Sequence, residues 1–207
     1  MKKHHSLIFL FLLASGSVFA DGKYFETIPI FWERLYPNGG ESLYCGDKIA
    51  PGDRRYNIEH VFPMAWVARS LKCGSRAHCR KTNEVFSHIE SDMHNLFPVR
   101  ASANKLRGTA AFSELAGEEW FVSDCDFDIN LEKNHVEPRE AVRGEIARAL
   151  LYMSDRWRVP LFARQRNLML KWHKEDPVST EEARRNQIIR RIQGNSNHWI
   201  DRGLVNQ

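Results

Sequence analysis

Four cysteines constrain the fold of this chain more than any other feature of its sequence: Cys45, Cys73, Cys79 and Cys125. An even number of cysteines in an exported protein is typical of disulfide bonds, and four cysteines allow three pairings. Cys73 and Cys79 enclose the short loop 74–78, so we pair them with each other and pair Cys45 with Cys125. The alternative is a zinc site at Cys73 and Cys79 with His78 or His88, but the regular second pair of ligands of a structural zinc site is missing. The sequence predicts one short-range and one long-range disulfide bond.

An export signal at the N-terminus is the reason to expect disulfide bonds. Lys2 and Lys3 are followed by an apolar run at residues 7–14 and by a cleavage site of the small-x-small type at residues 18–20. This order is typical of a secretory signal peptide, so we expect a signal peptide at residues 1–20 and a mature domain at residues 21–207. The alternative is a membrane anchor, but the apolar run is much shorter than the roughly 20 residues of a spanning helix. We therefore expect a periplasmic or secreted protein with no membrane insertion once the signal is removed.

The overall charge is only mildly basic. The chain has 207 residues, of which 43% are hydrophobic and 27% charged, and this suits one globular domain with its own core. Its formal net charge of +4 is too small to identify a polyanionic partner. Basic residues do cluster at residues 69–81 and again at residues 100–107. Such a cluster is either an anion-binding surface or a solvated face, and composition leaves both open.

The last third of the chain is predicted to be helical. Apolar residues recur at three- and four-residue steps up to Met153, in a helix opened by Pro138. A second helix is predicted over residues 161–172, ending before Pro177. A third is predicted over residues 179–194, with a capping box at its start and a glycine at its end.

The middle of the chain, from Cys45 to Cys125, is interpreted as loop-rich with two extended segments. Alternation predicts a strand at residues 54–61, and a second extended segment follows at residues 92–98, with a helix beginning at Ala101. Before this region, residues 24–44 predict a short helix and then a turn. The predicted fold class is α+β, a mostly helical single domain with a small strand-bearing insert.

The two extended segments carry residues that suit phosphodiester hydrolysis. This reaction needs a base for water, a cation for the developing charge and donors that hold the phosphate. His60 suits the base, because a neutral imidazole accepts protons near neutral pH. Glu59, Asn95 and Asn104 offer the hard oxygen ligands that Mg²⁺ prefers, and Arg76 suits the phosphate. The same residue types also occur in purely structural roles, so composition alone is only suggestive.

Several motifs in fixed order resemble the endonuclease I family of periplasmic or secreted bacterial nucleases, which has a ββα-metal (His-Me finger) active site. The resemblance covers nearly the whole mature chain and rests on these segments: Tyr44-Cys45-Gly46, Glu59-His60-Val61-Phe62-Pro63, Gly74-Ser75-Arg76, Met93-His94-Asn95-Leu96-Phe97-Pro98, Asn104 with Arg107, Glu137-Pro138, residues 142–148 and residues 192–195. It implies a domain built around a ββα-metal motif, and an endonuclease that cuts DNA, and also RNA, with little sequence preference and leaves 5′-phosphates.

The resemblance also implies a role for individual residues. His60 is implied to be the general base, Glu59 and Asn104 the protein ligands of one divalent metal ion, usually Mg²⁺, and Asn95 a residue that supports the catalytic site. Arg76 is implied to contact the phosphate, and Glu90 to orient His60 or hold a metal-bound water. Lys105 and Arg107, in the second basic cluster, are assigned to substrate binding. The active unit is expected to be a monomer.

Asn104 rather than Asn95 is predicted to bind the metal. In a ββα site the base lies on the first strand and the amide ligand on the helix, and Asn104 lies at the start of the predicted helix. Asn95 lies on the preceding extended segment, where its amide can brace the loop that bears His60.

Two other functions remain as alternatives at this point. One is a phosphodiesterase with the same metal site that acts on small nucleotides or lipid head groups. The other is a non-catalytic nucleic-acid-binding protein on the same fold. The presence of both His60 and Asn104 favours the nuclease.

Overall fold

The computed structural model describes residues 24–117, 120–122 and 124–205, and the predicted signal peptide lies outside these ranges. The helices are α1 (Tyr24–Ile30), α2 (Met64–Ser70), α3 (Arg76–Thr82), α4 (Glu84–Glu90), α5 (Ala101–Arg107), α6 (Arg143–Trp157), α7 (Ala163–Glu175), α8 (Thr180–Gln193) and α9 (His198–Val205). The strands are β1 (Gly40–Glu41), β2 (Lys48–Ile49), β3 (Tyr56–His60), β4 (Leu96–Arg100), β5 (Ala111–Phe112), β6 (Trp120–Val122), β7 (Cys125–Asn130) and β8 (His135–Pro138). This mixture of helices and sheets in one domain agrees with the predicted α+β class. None of the helices in the described ranges is both long and apolar enough to cross a membrane.

The helices after residue 142 form one wall of the core. Every residue from Ile146 to Met153 of α6 is buried, and α7 packs along α6. The two helices come close because residue 144 is a glycine, since a Cβ there would lie 2.2 Å from the carbonyl oxygen of Asp176. Helix α8 begins with the predicted capping box, formed by Ser179 and Glu182, and ends at Gly194.

The predicted helix start at Pro138 is wrong. Pro138 is the last residue of β8 and pairs with Phe127 of β7, and α6 begins only at Arg143, after a short 3₁₀ turn. The physical reason is that a proline restricts the residue before it to extended backbone, which suits the end of a strand as well as the residue before a helix. Strands β7 and β8 lie at the centre of a four-stranded sheet with the order β5-β8-β7-β6.

Three short helices, α2, α3 and α4, occupy the segment that was interpreted as loop-rich. Each has seven residues, which is too short for a helical repeat to stand out in the sequence. Local caps define two of them: the side chain of Ser75 accepts a hydrogen bond from the backbone of His78, and that of Asn83 accepts one from Phe86. Helix α3 thereby presents Arg76 in its first turn.

Two disulfide bonds, Cys45–Cys125 and Cys73–Cys79, join the pairs that the spacing favours. The first links the segment before β2 to the start of β7 over 80 residues of sequence. The second links the loop after α2 to α3. The cysteines are therefore used in covalent bonds, and the described residues contain no free cysteine that could hold zinc.

A buried carboxylate, Asp92, connects the turn before β4 to the helical wall. It accepts hydrogen bonds from Tyr152 and Trp157 of α6 at 2.9 and 2.8 Å, and from Gln193 at the end of α8 at 2.8 Å. It also accepts the backbone N–H of His94. These bonds fix the position from which β4 starts.

The neighbouring His94 is buried in surroundings that disfavour its protonated form. Burial lowers the pKa of its imidazole to about 4, with Arg185 acting in the same direction and Asp92 opposing it. One ring nitrogen contacts the carbonyl oxygen of Asn195, and the other is buried without a hydrogen-bond partner in the described structure. A proton added to this ring would therefore be buried and unpaired.

We predict that His94 lowers the free energy of unfolding as the pH falls from about 6.5 to about 5. In this window the unfolded chain binds a proton on His94 that the folded protein does not, so the loss per pH unit rises toward about 1.4 kcal/mol as the pH approaches 5. Urea denaturation at several pH values measures the effect. The plot of unfolding free energy against pH should be less steep over this window for His94→Gln than for the wild type, and parallel plots would contradict the assignment.

Candidate active site

Strands β3 and β4 and helix α5 place the predicted site residues. The strands are antiparallel, with Glu59 opposite Phe97 and His60 opposite Leu96, and α5 follows β4 without a loop. Glu59 and His60 are neighbours on β3, so their side chains lie on opposite faces of the strand. Their contacts are accordingly different, with Glu59 next to α5 and His60 next to α1, α3 and α4. His60 is the last residue of β3.

The contacts of His60 define which ring nitrogen can act as a base. Its Nε2 lies 2.9 Å from the carbonyl oxygen of Glu90, and a carbonyl only accepts, so Nε2 carries the hydrogen. The lone pair is then on Nδ1, which lies 3.4 Å from a guanidinium nitrogen of Arg76. Burial, followed by the charge of Arg76, lowers the pKa of His60 to about 3. The ring is therefore neutral at physiological pH, with its basic atom directed to Arg76.

The carboxylate of Glu90 holds two arginines beside His60. Its side chain is only 1% exposed, and its two oxygens pair with the Nε atoms of Arg76 and Arg80. The ring of Tyr24 lies 5.5 Å from the guanidinium of Arg76, 5.4 Å from that of Arg80, and 4.9 Å from the His60 ring. The backbone of Glu90 thus orients His60, whereas its carboxylate orients arginines, which differs from the orienting role expected for its side chain.

Glu59 is buried on the other face of β3. Its Oε1 accepts a hydrogen bond from the hydroxyl of Tyr44 at 2.8 Å and lies 3.2 Å from a guanidinium nitrogen of Arg107. Burial raises the pKa of Glu59, while Arg107, Tyr44 and, at longer range, Arg76 oppose the shift. The charge of Arg76 thus acts on both Glu59 and His60.

Arg107 has a structural position, which corrects its assignment to substrate binding. It is only 1% exposed, and it donates hydrogen bonds to the carbonyl oxygens of His60 and Val61 at 3.2 and 2.6 Å. Its guanidinium also lies over the ring of Phe112. A side chain so enclosed has no access to a phosphate in solvent.

Asn95 braces the chain just after His60. Its Oδ1 accepts the N–H of Phe62 at 2.6 Å, and its Nδ2 donates to the carbonyl of the same residue at 3.0 Å. The backbone N–H of Val61 donates to the carbonyl oxygen of Asn95. Asn95 is completely buried, and its bonds hold the backbone of Val61 and Phe62, the two residues after His60.

Asn104 lies on the face of α5 that is directed to β3. Its Nδ2 donates to Asn57 Oδ1 at 2.8 Å and to the carbonyl oxygen of Ile58 at 3.3 Å. Asn57 and Glu59 share a strand face, and Asn104 shares a helix face with Arg107, which contacts Glu59. Asn104 and Glu59 are therefore next to the same junction of strand and helix. Lys105, the following residue, is exposed.

The donor set at this junction fits a magnesium ion better than a softer metal. In the described ranges no group of three or more histidine, cysteine, aspartate or glutamate side chains is arranged to hold a metal ion. Mg²⁺ needs only one or two protein oxygens and keeps several waters. Glu59, a buried carboxylate, together with the half-buried amide of Asn104, meets that requirement, and a cation there would offset the cost of burying the Glu59 charge.

Three residues that contact the predicted site residues were not predicted to do so from the sequence: Tyr24, Tyr44 and Arg80. Tyr24 lies outside every motif, and Tyr44 was noted only as part of the segment Tyr44-Cys45-Gly46, with no role beside Glu59. Arg80 was counted only within a basic cluster. Its spacing of four residues from Arg76 on a capped helix is the signal that could have placed both arginines on one face.

The chain is similar to known nucleases over most of its length. A family profile described as Endonuclease I matches residues 30–203. The chain is 34% identical to an extracellular deoxyribonuclease of Aeromonas hydrophila, over 82% of this chain and 85% of that protein. It is also 34% identical to a periplasmic deoxyribonuclease of the same organism, over 82% of this chain and 73% of the relative. A shorter match, 30% identical over 54% of this chain and 43% of the relative, is to an extracellular ribonuclease of Bacillus subtilis.

The Asn95 brace gives a prediction for stability. Asn95→Asp keeps the shape of the side chain but places an oxygen against the carbonyl oxygen of Phe62, so a buried hydrogen bond is lost and replaced by repulsion. We expect the free energy of unfolding to fall by about 1–3 kcal/mol or more in urea denaturation at pH 7. Asn104→Asp, at a half-buried position, is the matched control and should change stability by much less. Equal effects of the two substitutions would contradict the brace.

Proposed function

Since this chain is an endonuclease of the endonuclease I family, we propose that it uses one divalent metal ion, Mg²⁺, to hydrolyse DNA, and also RNA, to products with 5′-phosphates. The observation that carries the proposal is the lone pair of a buried, neutral His60 placed 3.4 Å from the guanidinium of Arg76. This arrangement puts a proton acceptor next to a phosphate-binding cation. The names of the relatives support DNA, and that of the ribonuclease supports RNA.

We propose that β3, β4 and α5 form the ββα-metal motif. The base lies at the end of the first strand, and the amide ligand lies on the helix that follows the second strand, which is the order expected of such a site. Export to the periplasm or the medium agrees with the two disulfide bonds and with the names of the relatives.

Glu59 and Asn104 would hold the metal ion through side-chain oxygens. When bound, the ion would stabilise the negative charge that develops on the phosphate and on the leaving oxygen. Tyr44 and Arg107 keep the Glu59 carboxylate in position for this role. The amide of Asn104 is held by Asn57 through Nδ2, so its oxygen is the atom assigned to the metal.

His60 acts as the general base in this proposal. Nδ1 takes a proton from a water molecule, whose oxygen attacks phosphorus. The bond from phosphorus to the 3′-oxygen breaks, the 3′-oxygen takes a proton from solvent, and the other product keeps a 5′-phosphate. Nε2–H stays bonded to the carbonyl of Glu90 and keeps the ring in this tautomer. Arg76 moves from the Nδ1 lone pair to the phosphate when substrate enters, guided by its bond to Glu90.

Substrate binding is proposed to depend on phosphates rather than on base edges. Arg76 and Lys105 are exposed cations on either side of the site residues, and neither lies on an element of a known base-reading motif. Such contacts give little sequence preference and strong dependence on salt. One chain carries every proposed catalytic and metal-binding residue, so a monomer is proposed as the active unit.

The first test of the function is the substitution His60→Ala. We expect a loss of 10²- to 10⁴-fold or more, the range typical of a removed general base, in the rate of plasmid cleavage with Mg²⁺. Binding of DNA, measured by fluorescence anisotropy in EDTA, should persist. His88→Ala, at a half-exposed histidine on α4, is the control and should keep wild-type activity.

The outcomes separate the three candidate functions. Cleavage of a small phosphodiester with no cleavage of plasmid, linear DNA or RNA would favour the small-substrate enzyme. Binding of DNA without any Mg²⁺-dependent cleavage would favour a non-catalytic protein. A His60→Ala variant within tenfold of the wild type would place the base elsewhere.

The second test addresses the metal ligand. Asn104→Ala should raise the Mg²⁺ concentration at half-maximal activity by at least tenfold, because one of two protein ligands is lost. The matched control Asn57→Ala removes the partner of the Asn104 amide but no metal ligand, and its Mg²⁺ requirement should change by much less. If Asn104→Ala has an unchanged Mg²⁺ requirement and Asn95→Ala has a raised one, the two asparagines must exchange roles.

A further inference from the structure

An exposed phenylalanine lies beside the proposed catalytic site. The side chain of Phe25 on α1 is 65% exposed, although it is large and apolar. Its ring centroid lies 5.9 Å from that of Tyr24, and the Tyr24 ring in turn contacts His60. Phe25 is thus one ring further out from the base, on the same helix.

The guanidinium of Arg80 packs against the Phe25 ring and is held in place by Glu90. Its guanidinium lies 4.8 Å from the centroid of Phe25 and 5.4 Å from that of Tyr24, and its Nε is bonded to the buried Glu90 at 2.5 Å. The bond to Glu90 uses Nε, so the terminal nitrogens are available as donors. The side chain keeps 27% of its surface exposed.

The cluster of Arg76, Arg80 and Glu90 has a net positive charge. A single buried carboxylate, Glu90, pairs with both Arg76 and Arg80, so the cluster carries one more positive than negative charge. Arg76 faces the lone pair of His60, whereas Arg80 lies over Phe25. The two arginines therefore serve neighbouring positions, and the second position combines a cation with an exposed aromatic ring.

We propose that Phe25 and Arg80 form a nucleotide subsite next to the scissile phosphate, where Phe25 stacks on a nucleobase and Arg80 binds the adjoining phosphate. The inference rests on the proposed nuclease function and adds the recognition of an unstacked base. An aromatic ring accepts the face of any base, so this contact is compatible with cleavage at many sequences. It requires a base that has left the stack, as in single strands or at a locally opened duplex.

The test is a double-mutant cycle between the protein and the substrate. The substrate is a single-stranded oligonucleotide with one phosphodiester bond among phosphorothioate linkages, prepared with a base or an abasic nucleotide at each position flanking that bond. Phe25→Ala should lower kcat/KM by roughly 5- to 100-fold on the complete substrate, the range expected for loss of one stacked base. On the oligonucleotide that is abasic at the subsite position, wild type and variant should be equal, and Phe25→Trp should keep full activity on the complete substrate.

Arg80 has its own readout in the dependence of binding on salt. Arg80→Gln should reduce the slope of log affinity against log salt concentration for a single strand by about 0.7, the change expected for one phosphate contact. Arg202→Gln on α9, a helix that supplies no residue to the site, is the matched charge control. Leu131→Ala is the matched apolar control, because Leu131 is 68% exposed at the β7–β8 turn.

The controls keep this inference separate from the nuclease function. Besides cleavage, binding of the oligonucleotides is measured in EDTA, so the cycle can be completed from binding alone. Failure of the wild type to cleave would refute the proposed function but not the subsite. Equal loss in Phe25→Ala on complete and abasic substrates, or no loss at all, would overturn the stacking contact. An unchanged salt slope in Arg80→Gln would overturn the phosphate contact.

Discussion

The buried guanidinium of Arg107 is the interaction on which the geometry of the site depends. It contacts the carboxylate of Glu59 and the carbonyl oxygens of His60 and Val61, so one side chain fixes the end of β3. Because it starts from α5, it also sets the distance between that helix and the strand. A planar group with five donors suits this purpose, whereas a lysine could not satisfy several acceptors in a plane.

The two faces of β3 carry different groups of the candidate site. On one face Glu59 and α5 form an oxygen-rich junction, and on the other face His60 meets two arginines held by Glu90. A phosphodiester group that reaches the end of β3 would touch both faces at once. The end of a strand, where neighbouring side chains diverge, is therefore a suitable place for the proposed base and the proposed metal ligand, which are adjacent in sequence.

The sequence could predict features whose signal is local. The capping box at Ser179 follows from a pattern a few residues long, and so does the strand predicted at residues 54–61, which the structure has at Tyr56–His60. The strand ending at Pro138 was mistaken for a helix start, since proline fits both, and the burial of Arg107 was missed because burial depends on which distant elements pack on a side chain. The family resemblance named residues of the site, but the use of Glu90 through its backbone for His60 and its carboxylate for arginines requires coordinates.

The amide of Asn95 has a consequence for how long the protein remains active after export. An exported enzyme is not replaced or repaired in place, so hydrolysis of a side-chain amide to a carboxylate accumulates with age. At Asn95 this change would turn the donor to the Phe62 carbonyl into an oxygen and release the segment after His60. Both ends of the buried amide are bonded to Phe62, so the side chain is restrained, and we expect it to lose its amide more slowly than an exposed asparagine would.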